Sequence, residues 1–138
     1  MFVIRSIPLF AFLWLAYTLL TLFSEPGSID STVFNFTLPS GSDWTVTQGD
    51  ILIFIGIIFL YVEIFKATRT TAGSIIDHTL SMVVFVGMLL QFILAEKAGN
   101  SVFATLTLMA LVDVVAGFTV TIVSARRDFG FGGQNPDV

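Results

Sequence analysis

The segment 101–124 constrains the fold of this chain most, because one carboxylate near its middle, Asp113, is its single charged group among mainly apolar side chains. The segment contains no Lys, Arg, Glu or Pro. As an α-helix it would extend about 36 Å, enough to cross a hydrocarbon core of about 30 Å. A carboxylate at the centre of the bilayer costs about 2.5–3.5 kcal/mol, so it is expected to face protein or water. The segment therefore predicts a transmembrane helix with an inward-facing Asp113.

Small and polar residues share one face of this predicted helix with Asp113, at spacings of three and four: Ala110, Gly117, Thr121 and Ser124. Such residues allow close helix approach and hydrogen bonds between helices. The opposite face carries large apolar side chains suited to lipid: Leu108, Leu111, Val115, Phe118 and Ile122. Two hypotheses follow for Asp113. Either it is neutral and hydrogen-bonded, fixing helix packing, or it forms part of an ion or proton pathway.

The composition indicates an integral membrane protein. Of 138 residues, 55% are hydrophobic and 12% are charged, against about 25% charged in a soluble domain. The chain has no Cys, which excludes disulfides, Cys-ligated zinc and iron–sulfur clusters, and its one His cannot supply both axial ligands of a haem. No basic patch favours nucleic acid. We expect no cofactor and no metal site.

Four transmembrane helices are predicted, at 7–23, 51–67, 75–95 and 101–124. They form a single all-α membrane domain over 1–125, followed by a flexible tail over 126–138. The first apolar run could instead be a signal peptide. It is longer than the usual apolar core of about 7–15 residues, and no small-residue cleavage site follows it, which favours a retained helix.

The loop 24–50 is predicted to form a short β-hairpin. Residues 32–38 alternate, which places Phe34 and Phe36 on one face, and residues 44–48 alternate again from Trp44. A turn cluster separates the two segments. An isolated hairpin is marginal in water, so this apolar face should rest on the bundle, the membrane surface or a partner.

Three further titratable residues lie towards one end of the predicted bundle. Glu63 and Lys66 are spaced to pair on one helix, and a solvated pair at the membrane boundary is expected. His78 lies in the first turn of the third helix, where it is either an interfacial side chain or a proton-transfer group. With Asp113, Glu63 and His78 are the candidates for an ion or proton pathway.

Local signals predict helix starts and close contacts. Asp50 is expected to cap the second helix, and Ser74 with Asp77 resembles a capping box for the third. Besides the residues around Asp113, the candidate helix-packing positions are Gly56, Gly87 and Gln91.

The distribution of cations predicts the orientation. Four helices place five cations on one side, leaving only Lys97 on the other: Arg5, Lys66, Arg69, Arg126 and Arg127. Cations concentrate on the cytoplasmic side, so both termini are expected in the cytoplasm and the hairpin outside an inner membrane.

The sequence favours no enzyme class, because it offers no nucleophile with a base and no phosphate-binding loop. A structural or accessory subunit is the leading hypothesis. It would assemble with itself or with other membrane subunits in the lipid bilayer, with Phe34, Phe36 and Trp44 as partner contacts. The alternative is an oligomeric proton or cation pathway that uses Asp113.

Overall fold

A computed structural model describes residues 7–25, 27–68 and 74–130, with side chains for all of these except 74–75 and 124–130. The helices are α1 (Leu9–Phe23), α2 (Gln48–Ala67), α3 (Ser74–Leu94) and α4 (Ser101–Gly130). Two strands, β1 (Thr32–Thr37) and β2 (Asp43–Thr47), lie between α1 and α2. Short 3-10 turns occupy Ser28–Asp30 and Glu96–Ala98. The predicted four helices and two-stranded hairpin are confirmed.

The helices run alternately up and down the bundle. The backbone N–H of Leu9 in the first turn of α1 meets Glu63 near the end of α2, and Tyr17 meets Lys97 just after α3. Around the bundle, α1 packs on α2 and α3, and α4 packs on the same two helices. One end of the bundle therefore gathers the start of α1, the end of α2 and the start of α3, and the other end carries the hairpin.

The core is apolar and aromatic along most of the bundle. Its buried residues come from all four helices and both 3-10 turns: Phe10, Leu13, Tyr17, Ile29, Leu52, Val84, Met88, Ala98, Phe103, Leu106 and Ala110. Gly56 lies at the junction of three helices, where an added Cβ would come within 3.0 Å of Met109 and 3.1 Å of Leu106. Gly56 thus allows α2 to approach α4 closely.

The start of α2 differs from its prediction. The helix begins at Gln48, and Thr47, not Asp50, is its N-cap. The Thr47 side chain accepts the Asp50 N–H at 3.2 Å, and the Asp50 carboxylate accepts the Thr47 N–H at 2.9 Å. This reciprocal pair is a capping box. Its hydrogen bonds from Thr47 lower the pKa of Asp50.

The other helix boundaries also differ in part. α4 continues to Gly130, so the helix is longer than predicted, and 131–138 of the predicted tail lie outside the described residues. The side chain of Ser74 is likewise not described, so the expected capping box with Asp77 lies outside the described residues in part.

Two helical segments are long and apolar enough to cross a membrane, Ile76–Leu94 and Ser101–Val123. α1 is a shorter apolar helix of 15 residues. Length and composition alone therefore support a membrane association of this chain.

The hairpin is joined to the bundle at its base. β2 leads directly into α2, the Gln48 N–H donates to the Ser31 carbonyl at 3.1 Å, and Val46 is buried. The strands pair antiparallel with Phe36 opposite Trp44, and the pairing is irregular between Thr32 and Phe34. At the turn Gly41 has a φ of 83°, a left-handed conformation that glycine adopts without strain.

Candidate functional site

Asp113 lies on the inner face of α4 and is 6% exposed. Ala110 and Gly117 on the same face are buried, and Thr121 is half-buried, its hydroxyl donating to the Gly117 carbonyl at 3.0 Å. The five large apolar residues assigned to the opposite face are all exposed. Across the interface with α3, Ser81 lies close enough to the Asp113 carboxyl group to interact with it. The burial of this face agrees with the spacing of its small and polar residues.

Glu63 is buried, at 5% exposed, which corrects the expectation of a solvated boundary pair. It does pair with Lys66, at 3.0 Å between Nζ and Oε2. The difference arises because the start of α1 covers it, and the Leu9 N–H donates to Glu63 Oε1 at 2.6 Å. The first N–H groups of a helix have no acceptor within the helix, and a carboxylate there is also favoured by the helix dipole.

Asp113 and Glu63 belong to a set of residues whose charges interact. Asp113 interacts with the charges of Glu63 and Lys66 on α2 and of Asp77 on α3. Asp77, Ser81 and His78 share one face of α3, at spacings of three and four residues. We call the residues Glu63, Lys66, Asp77, His78, Ser81 and Asp113 the polar cluster. It holds three carboxyl groups and one ammonium group.

His78 lies between α3 and α4. It is 8% exposed, and its ring packs so closely on Gly117 that a Cβ there would overlap Nδ1 and Cε1. Gly117 is one helical turn beyond Asp113. His78 Nε2 and Asp77 Oδ1 are buried atoms without a hydrogen-bond partner in the described part of the chain. The fit of His78 over Gly117 could not be predicted from the sequence, because it depends on how α3 and α4 are rotated.

The described residues contain no group of three or more His, Asp or Glu side chains placed to hold a metal ion. The carboxyl groups of the polar cluster interact through charge but do not converge on one point.

A second polar group lies at the hairpin end of the bundle, centred on Gln91. Its side-chain oxygen accepts hydrogen bonds from Trp14 Nε1 at 2.5 Å and from the Thr18 hydroxyl at 3.3 Å. The Trp14 indole also packs against Gly87, with no room for a Cβ there. Gly87 and Gln91 on α3 thus both contact the side chain of Trp14 on α1.

Tyr17 ties α1 to the connection between α3 and α4. Its hydroxyl donates to the Lys97 carbonyl at 3.1 Å and accepts from Asn100 Nδ2 at 2.6 Å. Asn100 Oδ1 in turn accepts the Phe103 N–H in the first turn of α4, at 3.0 Å. Sequence reasoning did not single out Asn100. Its position just before α4 was the available signal, since Asn is a favoured N-cap.

Apolar residues separate the two polar groups. On α3, Val84 and Met88 lie between Ser81 and Gln91 and are buried. On α4, Leu106 and Ala110 are buried on the hairpin side of Asp113. The buried Thr107 hydroxyl in this region donates to the Phe103 carbonyl of its own helix. Within one chain, the polar cluster is therefore closed off from the hairpin end.

The hairpin aromatics form an exposed surface. Phe34, Phe36 and Trp44, the hairpin face, are 59%, 47% and 43% exposed. Phe36 and Trp44 pack edge to face, with ring centroids 5.1 Å apart. Only Val46 at the base of this face is buried.

Comparisons with protein-family models, with curated proteins and with solved structures found no match to this chain. The functions considered below rest on the polar cluster and on the hairpin face.

Proposed function

We propose that this protein is a structural or accessory subunit of a membrane complex, assembled with further copies or with other membrane subunits. The exposed hairpin face carries this proposal. Aromatic residues are enriched at the buried centres of protein interfaces. The side chains of Phe34, Phe36 and Trp44 are exposed on the hairpin, whereas Val46 at its base is buried. A two-stranded hairpin is marginally stable alone, so a partner surface would stabilise it.

In this proposal all four helices cross an inner membrane, with both termini cytoplasmic and the hairpin outside. The cation distribution of the sequence supports that orientation, since Lys97 lies at the hairpin end and Lys66 at the opposite end. The hairpin loop carries carboxylates and no cation. The polar cluster then lies in the cytoplasmic half of the bundle.

Purification in a mild detergent tests the proposal. The wild-type protein should elute as an oligomer or with a defined partner subunit. Trp44→Ser and Phe36→Ser should each weaken that assembly about 30-fold or more, the effect of losing an interface hot spot of about 2 kcal/mol. Asn35→Ser is the matched control, because Asn35 lies on the opposite face of the same strand. A wild-type protein that is monomeric and without partner, or assembly that survives both aromatic changes, would contradict the proposal.

The polar cluster favours a second candidate function, a proton or cation pathway through Asp113. A buried carboxyl group in a membrane helix is a functional candidate by default. Its electrostatic contact with Glu63 and the buried His78 next to Gly117 support this candidate. Because apolar residues close the cluster towards the hairpin end, a complete pathway would need several copies or a second subunit.

Flux measurements in liposomes test this second candidate. Wild-type protein should carry a proton or sodium current, and Asp113→Asn should assemble normally but lose it. Wild-type protein that is reconstituted in the assembly in which it purifies, and is silent under every gradient, would exclude the pathway. Flux that persists in Asp113→Asn would show that another residue carries the ion.

A further inference from the structure

We infer that the polar cluster is a proton-binding site in which the Asp113 carboxyl group holds the proton. This inference rests on the second candidate function and names its ion.

Among the described residues, the charges of the cluster do not balance. Asp113 interacts with two further carboxyl groups, on Glu63 and Asp77, and with one ammonium group, on Lys66. Ser81 contributes a neutral hydroxyl, and α1 contributes the N–H of Leu9. Unpaired charge buried away from water is costly, so such a site gains free energy by binding a positive charge.

The direct partners of Glu63 and Asp113 indicate which of the two carboxyl groups binds the positive charge. Glu63 already receives the Leu9 N–H at 2.6 Å and the Lys66 ammonium at 3.0 Å. Asp113 is just as deeply buried, but within the described part of the chain its carboxyl group forms no ion pair and receives no backbone N–H, and Ser81 on α3 is a neutral neighbour. Glu63 thus has two direct donors, while Asp113 interacts with the Glu63 and Asp77 carboxyl groups and, without a direct ion pair, with Lys66.

His78 points independently to a ligand at this site. It is more than nine-tenths buried between α3 and α4, beside Gly117, and its Nε2 has no partner in the described part of the chain. Buried polar atoms are nearly always hydrogen-bonded, so an unpartnered one calls for a water, an ion or a proton. Asp77 Oδ1, on the preceding residue, is also buried and has no hydrogen-bond partner among the described residues.

The geometry favours a proton over a metal cation. Hard cations require six or more oxygen ligands around one point. The carboxyl groups of the cluster do not converge in that way in the described residues. A proton needs one oxygen atom only, and Asp113 supplies it.

Infrared difference spectroscopy of the purified protein tests the inference directly. As the pH is lowered, a carboxylic-acid carbonyl band should appear that is absent from Asp113→Asn. Asp43→Asn is the matched control, because Asp43 is exposed on the hairpin and its loss should leave that band in place. No Asp113-dependent band at any pH would overturn the inference.

Two further variants keep the test decisive if Asp113→Asn does not fold. Ser81→Ala removes a polar neighbour that favours the anionic form, so the titration midpoint of the band should move to higher pH. Glu63→Gln removes a negative neighbour, so the midpoint should move to lower pH. A midpoint that is unmoved by both variants would contradict the assignment to Asp113.

The choice of salt distinguishes a proton from a metal cation. Exchanging choline chloride for sodium chloride should leave the band unchanged. Loss of the band in sodium would show a metal-cation site and overturn the inference. These spectra need neither a partner subunit nor flux, so failure of either proposed function would leave the band as predicted, and failure of the inference would appear in the band alone.

Discussion

Glu63 is buried through a contact with α1 that the sequence around Glu63 does not predict. Its pairing with Lys66 follows from their spacing, but its burial follows from the first turn of α1, 54 residues earlier in the chain. The carboxylate serves two donors, and one of them is a backbone N–H that has no acceptor within its own helix. Glu63 therefore fastens the start of α1 to the end of α2.

Replacing Glu63 should destabilise the bundle in a graded way. Glu63→Ala leaves the half-buried Leu9 N–H without its acceptor, which costs up to about 1–3 kcal/mol. Glu63→Gln keeps a carbonyl oxygen for that N–H and should cost less. Unfolding in detergent with increasing denaturant gives both free energies. Equal stability of the two variants and the wild type would mean that Leu9 finds another acceptor.

For single residues, the sequence predicts which way a side chain faces better than it predicts which residues that side chain contacts. The inward orientation of Asp113 follows from the spacing of Ala110 and Gly117, and the structure buries all three. The solvated state expected for Glu63 was wrong, because its distance from the helix end says nothing of which element covers it. The packing of His78 on Gly117 joins two residues that are 39 positions apart in the sequence. No periodic pattern in the sequence predicts this contact.

Single elements depend on short signals at their ends and on small residues along their faces. The α2 N-terminus carries a capping box in which Thr47 and Asp50 satisfy each other's backbone N–H. The sequence contained both residues, but the assignment of the cap was three residues late. Asp50 and Thr47 are each acceptable N-caps, and only the backbone geometry distinguishes them.

Thr47→Ala should lower the free energy of unfolding by about 0.5–2 kcal/mol, the usual effect of losing an N-cap side chain. Thr45→Ala is the control, since Thr45 is exposed on the same strand and caps no helix. Chemical denaturation in detergent compares the two. A larger loss in Thr45→Ala would show that the hairpin, not the cap, depends on these residues.

Gly117 sets the distance between α3 and α4. Because a Cβ at this position would overlap the His78 ring, Gly117→Leu should destabilise the bundle by about 1–3 kcal/mol, as overpacking does. Val115→Leu, on the exposed face of the same helix, should have little effect. Thermal unfolding in detergent measures both. An unchanged melting profile for Gly117→Leu would mean that α3 and α4 are not packed in this way.

At the scale of the whole molecule, two polar groups lie at opposite ends of an apolar core. The four helices and the hairpin were predictable because hydrophobic period and turn residues mark them in the sequence. The order of the helices around the bundle was not, since several helices carry similar apolar faces and the sequence does not rank the possible neighbours. Both proposed functions depend on one placement, with the hairpin outside and the polar cluster near the cytoplasm.

Cysteine accessibility tests that placement most directly, because the chain contains no Cys and gives no background. Single changes Ser42→Cys in the hairpin turn and Gly99→Cys between α3 and α4 report one side, and Thr68→Cys and Gln134→Cys report the other. With a membrane-impermeant maleimide on intact cells, the first pair should be labelled, and the second pair only after permeabilisation. Labelling of Thr68→Cys from outside, or protection of Ser42→Cys, would contradict the four-span arrangement.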